Sequence, residues 1–292
     1  MFESAEIGHR IDKARYEREV PELRQELLET QHELLERPAR AVLVVVAGVD
    51  GAGKGDTINQ LQAWLDPRHV RVHGLGAPND AERERPPFWR YWNRIPPRGK
   101  IGVFMGSWYT GPILDRVHKR TKNVHLDTAM KRARHFERML TDEGLVLLKL
   151  WFHLAKKDQE KRLKRLEKKP ETRWRVTERD WRHFALYDRF RKVSARALRQ
   201  SSTDNAPWLV VPGAERRYRE LTVGRALLEA MRRGLEPPKP TPPPLVPHAR
   251  PAIDGRSVLD TLDLSRALPK KTYRDRLEKL QGRLNLLTRK RR

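Results

Sequence analysis

The chain has 292 residues with 62 Lys and Arg against 38 Asp and Glu, a formal charge of +24 that calls for a polyanionic partner. That length allows one sizeable core plus an appendage, and the absence of cysteine excludes disulfides, thiolate metal centres and a cysteine nucleophile. No stretch approaches the roughly 18 apolar residues of a membrane span and the opening MFESAEIGHR has no signal-peptide core, so a cytoplasmic protein without a membrane partner is expected.

Helical periodicity at Val20, Leu23, Leu27, Leu28 and Leu34 predicts a first helix over 16–35. Apolar runs predict strands at 41–47, 70–75, 101–105 and 208–211. The near-continuous run 145–154 reads as a strand buried on both faces. Between them, helices are expected at 126–140, 155–168, 177–202 and 216–233. Strands alternating with helices define an α/β fold, a three-layer arrangement of the P-loop NTPase kind around a central parallel sheet. A site on the first strand then lies at the carboxyl ends of the strands.

The segment Gly48-Val-Asp-Gly-Ala-Gly-Lys54 has phosphate-loop spacing and follows an apolar strand. Small residues at Gly48, Gly51 and Gly53 let backbone N–H groups curve inward around an anion, and Lys54 adds a point charge at the start of a helix. The next residue is Gly55, where most such loops place Ser or Thr for Mg²⁺; Thr57 lies two positions on. Metal binding must then lean on a carboxylate such as Asp50, which is otherwise a turn former. The third strand ends in Met105 where a metal-facing aspartate is usual, and a thioether is a poor ligand for Mg²⁺.

Lys157, Lys161, Lys164, Arg165 and Lys168 recur at helical spacing, with Arg173 and Arg175 just beyond. This basic face has few alternating acids to pair with, so it reads as a polyanion contact or a solvated surface. Phe88, Trp89, Tyr91, Trp92, Trp108 and Tyr109 form either core packing or a stacking surface for a base.

Eight prolines fall between Pro237 and Pro251, which predicts a stiff linker over 236–255. Beyond it, Leu268-x-Lys270-x-x-Tyr273 repeats Ile11-x-Lys13-x-x-Tyr16 at an offset of 257 residues, and Val20, Leu23 and Leu27 map onto Leu277, Leu280 and Leu284. The expected organisation is a domain at 1–235, the linker, and at 256–292 a C-terminal helical extension. That extension is read as the opening helix of a second, truncated repeat.

The ordered set of motifs resembles the polyphosphate kinase 2 family, and within it the N-terminal half of tandem-domain members. The resemblance is carried by the loop with Gly48, Asp50, Gly53, Lys54 and Gly55, by Pro86-Pro-Phe-Trp-Arg-Tyr-Trp92, Ser107-Trp-Tyr109, Lys149-x-Trp-Phe-His-Leu154 and Ala206-Pro-Trp208. It implies phosphoryl transfer from inorganic polyphosphate to AMP, giving ADP, with Mg²⁺, a basic lid at about 155–205, and no nucleic-acid partner. It also implies a homo-oligomer or pairing with a second repeat. The family's second motif, D-R-S-W-Y-N-R, here keeps Ser107, Trp108 and Tyr109 but has Met105, Gly106, Thr110 and Gly111 at its polar positions. Asp115 is the candidate for the acidic place that follows; Asp80 is another.

By that resemblance Lys54, Asp50 and Asp115 are the catalytic candidates. Gly48, Gly51, Gly53, Lys54, Gly55, Arg173 and Arg175 are the phosphate-binding ones, and Asp50 the metal candidate. The losses around Met105 suggest a degenerate half that keeps its fold. Two alternatives stay open: a non-catalytic structural or polyphosphate-binding module, and a thymidylate-kinase-like enzyme using ATP.

Overall fold

The computed structural model describes residues 1–237, 262–263 and 265–289, and the chain divides into two units, Met1–Thr241 and Pro242–Arg292. The first runs α1 (Lys13–Glu36), β1 (Val42–Gly48), α2 (Lys54–Trp64), β2 (Val70–Gly74), α3 (Asp80–Arg83), α4 (Trp89–Trp92), β3 (Ile101–Met105), α5 (Thr110–Val117) and α6 (Asn123–Asp142). It continues with β4 (Val146–His153), α7 (Lys156–Lys168), α8 (Glu178–Ala185), α9 (Tyr187–Ser201), β5 (Trp208–Pro212) and α10 (Arg216–Leu235). The second unit carries α11 (Lys270–Arg289). Almost all of the expected proline-rich linker lies outside the described residues. Among the described residues, no helix is long and apolar enough to cross a membrane.

The five strands form one parallel sheet in the order β2-β3-β1-β4-β5, with Val42 in register with Ile101 on one side and Val146 on the other. The central β1 is apolar throughout because both of its faces are covered. Val42, Val44 and Val46 pack with Leu27 of α1, Ile58 of α2 and Leu227 of α10. Leu43 and Val45 face the other way, toward Ile113 of α5, Met130 of α6 and Ala197 of α9. β1 therefore delivers its carboxyl end, and the glycine loop that follows, to the middle of the sheet edge.

The buried strand β4 holds one charge, Lys149, which is 0% exposed. Its ammonium donates to Glu137 Oε2 of α6 at 2.8 Å and to the Ser201 carbonyl at 2.7 Å. Glu137 also accepts from the Trp108 indole at 3.0 Å and from the Tyr109 hydroxyl. Burial pushes Glu137 up and Lys149 down, and their mutual attraction opposes both shifts. Trp108 and Tyr109 are thus core residues, and Phe88 stacks on Phe136 at 4.5 Å; of the aromatic set, Trp89 and Trp92 are exposed.

Two expectations are corrected. The helix anticipated over 177–202 is broken at Leu186, where φ is −95° and ψ is 5°, and the Leu186 N–H closes tightly on His183 O at 3.0 Å. The break lets α9 lie on the sheet while α8 turns toward the glycine loop. The basic helix α7 is not free of internal pairing either, because Lys164 meets Glu160 one turn earlier at 2.7 Å. The start of α11 at Lys270 stands 257 residues after that of α1 at Lys13, the same offset as the motif repeat. Within their own units the two helices differ, since Leu23 and Leu27 are buried but Leu280 and Leu284 are exposed.

Candidate functional site

The loop between β1 and α2 has the backbone its glycines suggest. Gly48 lies at φ 132°, and a Cβ there would stand 2.1 Å from the Phe152 carbonyl oxygen of β4. Gly51 and Gly53 adopt φ of 79° and 84°, the left-handed region that side chains disfavour, and Gly53 is the N-cap of α2. Around Gly55 there is open space. The amides at the start of α2 and the helix dipole give this concavity a positive character.

Lys54 folds back over the loop. Its Nζ donates to the carbonyls of Gly48 and Val49 at 2.9 and 2.8 Å and lies 3.5 Å from Asp50 Oδ1. Burial lowers its pKa, opposed by Asp50. Desolvation would raise the Asp50 carboxyl, but the Lys54 ammonium and the His183 ring outweigh it and hold the group below the usual carboxylate range. Thr57 does not face the loop opening; it is buried, and its hydroxyl accepts from Arg219 Nε at 2.8 Å.

Four contacts tie the basic segment after β4 to the loop. Gln159 of α7 donates to the Asp50 carbonyl at 2.9 Å, and Arg162 donates to Asp56 Oδ2 at 3.2 Å. Arg175 approaches Asp56 Oδ1 at 3.8 Å, and His183 Nδ1 of α8 stands 3.1 Å from Asp50 Oδ2. Arg173 is exposed on the same turn as Arg175. A cavity of about 450 Å³ lies between the loop, α5 and α8–α9, with Lys54, Asp50, His118, Asp180 and His183 among its ionisable lining and Ile113, Val117 and Phe190 among its apolar walls.

Of the predicted site residues, Gly48, Asp50, Gly51, Gly53, Lys54 and Gly55 come together, and Arg175 reaches them through Asp56. Asp115 does not line the cavity; it pairs with Arg120 at 3.2 Å. Asp80 is 93% exposed and pairs with Arg83. The predicted stripe Lys157, Lys161, Lys164, Arg165 and Lys168 exists, but it points to solvent, opposite the buried Gln159 and Leu163. The α7 residues that meet the loop, Gln159 and Arg162, were not singled out by the charge pattern, nor were Asp56, His183 and Arg219. Their signal is the spacing of Gln159, Arg162 and Leu163 on the one side of α7 that a helix can bury.

The second-motif positions are adapted to their present residues. Met105 packs against the apolar cluster of β1. Gly106 sits at φ 88°, with a Cβ there falling 2.4 Å from the Leu75 carbonyl oxygen, and Thr110 Oγ1 accepts the Ser107 N–H at 3.1 Å. The donor set does not suit a protein-held Mg²⁺. Asp50 is engaged by His183 and Lys54, the strand end offers a thioether, and no group of three His, Asp or Glu close enough to hold a cation occurs among the described residues.

Fold and site together define a parallel α/β protein with a glycine-rich loop and Lys54 at the carboxyl end of its central strand. Residues 10–237 match the profile of Polyphosphate kinase 2 (PPK2), and the chain belongs to that family. It is 47% identical, over 295 residues, to the polyphosphate:AMP phosphotransferase of Pseudomonas aeruginosa, covering 100% of this chain and 59% of that protein. It is 34% identical over 190 residues to the AMP/ADP-polyphosphate phosphotransferase of Meiothermus ruber, covering 65% of this chain and 71% of that one. A Pseudomonas aeruginosa PA01 crystal structure described as a polyphosphate kinase 2 superposes with a TM-score of 0.81 at 44% identity, over 99% of this chain and 56% of that one. The polyphosphate kinase 2 of Arthrobacter aurescens TC1 gives 0.73 at 28% identity, over 77% and 81%. The chain thus spans about three fifths of the length of the first curated relatives it matches.

Proposed function

We propose that this chain is the polyphosphate-gripping N-terminal part of a polyphosphate:AMP phosphotransferase. The glycine loop and Lys54 hold the phosphate polymer in this reading, and the segment 155–205 serves as a basic lid. The observation that carries it is the Lys54 ammonium, poised over the concavity by the Gly48 and Val49 carbonyls and backed by the N-terminus of α2. Names of relatives supply the substrate class, since the Pseudomonas aeruginosa protein is called a polyphosphate:AMP phosphotransferase.

Transfer would proceed by attack of an AMP phosphate oxygen on the terminal phosphorus of the polymer, with the bond to the shortened polymer breaking and no covalent enzyme intermediate. The protein's part is positioning and charge neutralisation, by Lys54, the loop amides, Arg162 and Arg175. With Met105, Gly106, Thr110 and Gly111 in the second motif, this part binds the polymer but turns over weakly or not at all alone. A second domain of the same fold, beginning with α11, would carry the faster chemistry. α11 supports that reading by repeating the register of α1.

The test is to mix the chain with polyphosphate, AMP and Mg²⁺ and follow ADP. Slow or absent turnover with tight polymer binding is expected. Robust turnover abolished by Lys54→Ala would overturn the degenerate-site reading.

A further inference from the structure

We infer that Asp56 is a built-in anion that competes with the incoming phosphate chain for Arg162 and Arg175, latching the basic segment onto the loop until a polymer displaces it. This rests on the polyphosphate-binding reading above. Asp56 stands in the first turn of α2, two residues beyond Lys54, and the intervening Gly55 borders open space. One carboxylate oxygen accepts from Arg162 at 3.2 Å and the other faces Arg175 at 3.8 Å. Two guanidiniums thus flank one carboxylate beside the concavity where the loop amides converge.

A phosphate chain leaving Lys54 toward α7 meets these arginines with their charge already partly spent. Asp56 is 46% exposed and Arg175 45%, so the pairs are screened, individually weak and displaceable. Arg162 is the firmer of the two; its side chain is 21% exposed and its stem runs against Gly51, where an added Cβ would lie 3.7 Å from its Cδ. Asp56 therefore does two things at once. It keeps the arginines from repelling one another in the free protein, and it holds the segment containing α7 and the Arg173–Arg175 turn against the loop.

The chain as it stands, Asp56→Asn and Glu160→Gln are compared. Glu160→Gln also removes one negative charge, from the outer side of α7, where Glu160 pairs with Lys164 and touches neither arginine. Binding of long-chain polyphosphate is titrated across salt concentrations, and amide hydrogen exchange of residues 156–185 is followed without ligand. The inference expects Asp56→Asn to tighten polymer binding about tenfold and to steepen the log K against log salt slope by about one ion. It also expects faster exchange in 156–185, slowed again by polymer, with Glu160→Gln changing affinity less than about threefold. Weaker or unchanged polymer binding in Asp56→Asn, or an equal gain in Glu160→Gln, would overturn it. So would unchanged exchange in the ligand-free protein. If Lys54→Ala leaves polymer binding intact, the loop reading fails, and the exchange comparison still decides whether Asp56 latches the segment.

Discussion

The Arg219 guanidinium lies directly beneath Gly53, donating to the Thr57 hydroxyl and to the Gly213 carbonyl, each at 2.8 Å. A Cβ at position 53 would stand 2.4 Å from the guanidinium carbon, and the backbone there is at φ 84°. Burial depresses the pKa of Arg219, which hydrogen-bonds to a hydroxyl and a carbonyl. The glycine loop thus rests on a buried arginine, and Thr57 is occupied in supporting it. Gly53→Ala should cost about 2 kcal/mol or more in denaturant unfolding, whereas Gly55→Ala, in open space, should stay within about 0.5 kcal/mol. Equal costs at the two positions would remove the support role.

The buried pair of Lys149 with Glu137 fixes the Ser-Trp-Tyr motif to the sheet. Lys149→Met alone leaves Glu137 uncompensated and should destabilise by about 3–5 kcal/mol. Pairing it with Glu137→Leu should recover part of that loss, the remainder being the Trp108 indole and Tyr109 hydroxyl left without their acceptor. A double-mutant cycle in urea measures the coupling, and a double variant no better than the single would contradict it.

His153 gives stability a pH dependence of definite sign. It is 1% exposed, stacks on Phe2 at 4.4 Å and bonds Glu6 through Nε2 at 2.7 Å. Burial lowers its pKa more than Glu6 raises it, so the folded state favours the neutral ring. The unfolded chain takes up a proton near its ordinary value, about 6.5, before the folded chain does. Stability therefore falls as pH drops below about 6.5 and levels off below the folded pKa, while well above about 6.5 the group contributes nothing. Melting temperatures of the native chain and His153→Gln between pH 8 and 5 should show a shallower decline in the variant.

The loop, the five strands and the parallel character of the sheet were legible from glycine spacing after an apolar strand, from apolar runs and from their alternation with helices; the strand order was not, because it is set by long-range pairing. Which cations face the loop was not legible. In α7 nearly every position is charged, so Arg162 looks like Lys161 or Lys164 until the helix is seated by Leu163 and Gln159. Arg219 was hidden for a related reason. It lies in a helix with Arg216, Arg217 and Arg225, and only the close packing of α10 on α2 and the loop selects it for burial. Asp115 was assigned by its distance from the motif, but the turn of α5 points it to Arg120. Leu186 carries no Gly or Pro, so the break between α8 and α9 had no local marker.

The grip of the glycine loop on a phosphate chain is tested most directly by polyphosphate binding to the native chain and to Lys54→Ala at one fixed ionic strength. Loss of the ammonium should weaken binding by about 10- to 100-fold, the 1.4–2.8 kcal/mol of one or two charge-assisted contacts. Equal affinity in the two proteins, with the polymer held by the exposed lysines of α7 alone, would contradict the account.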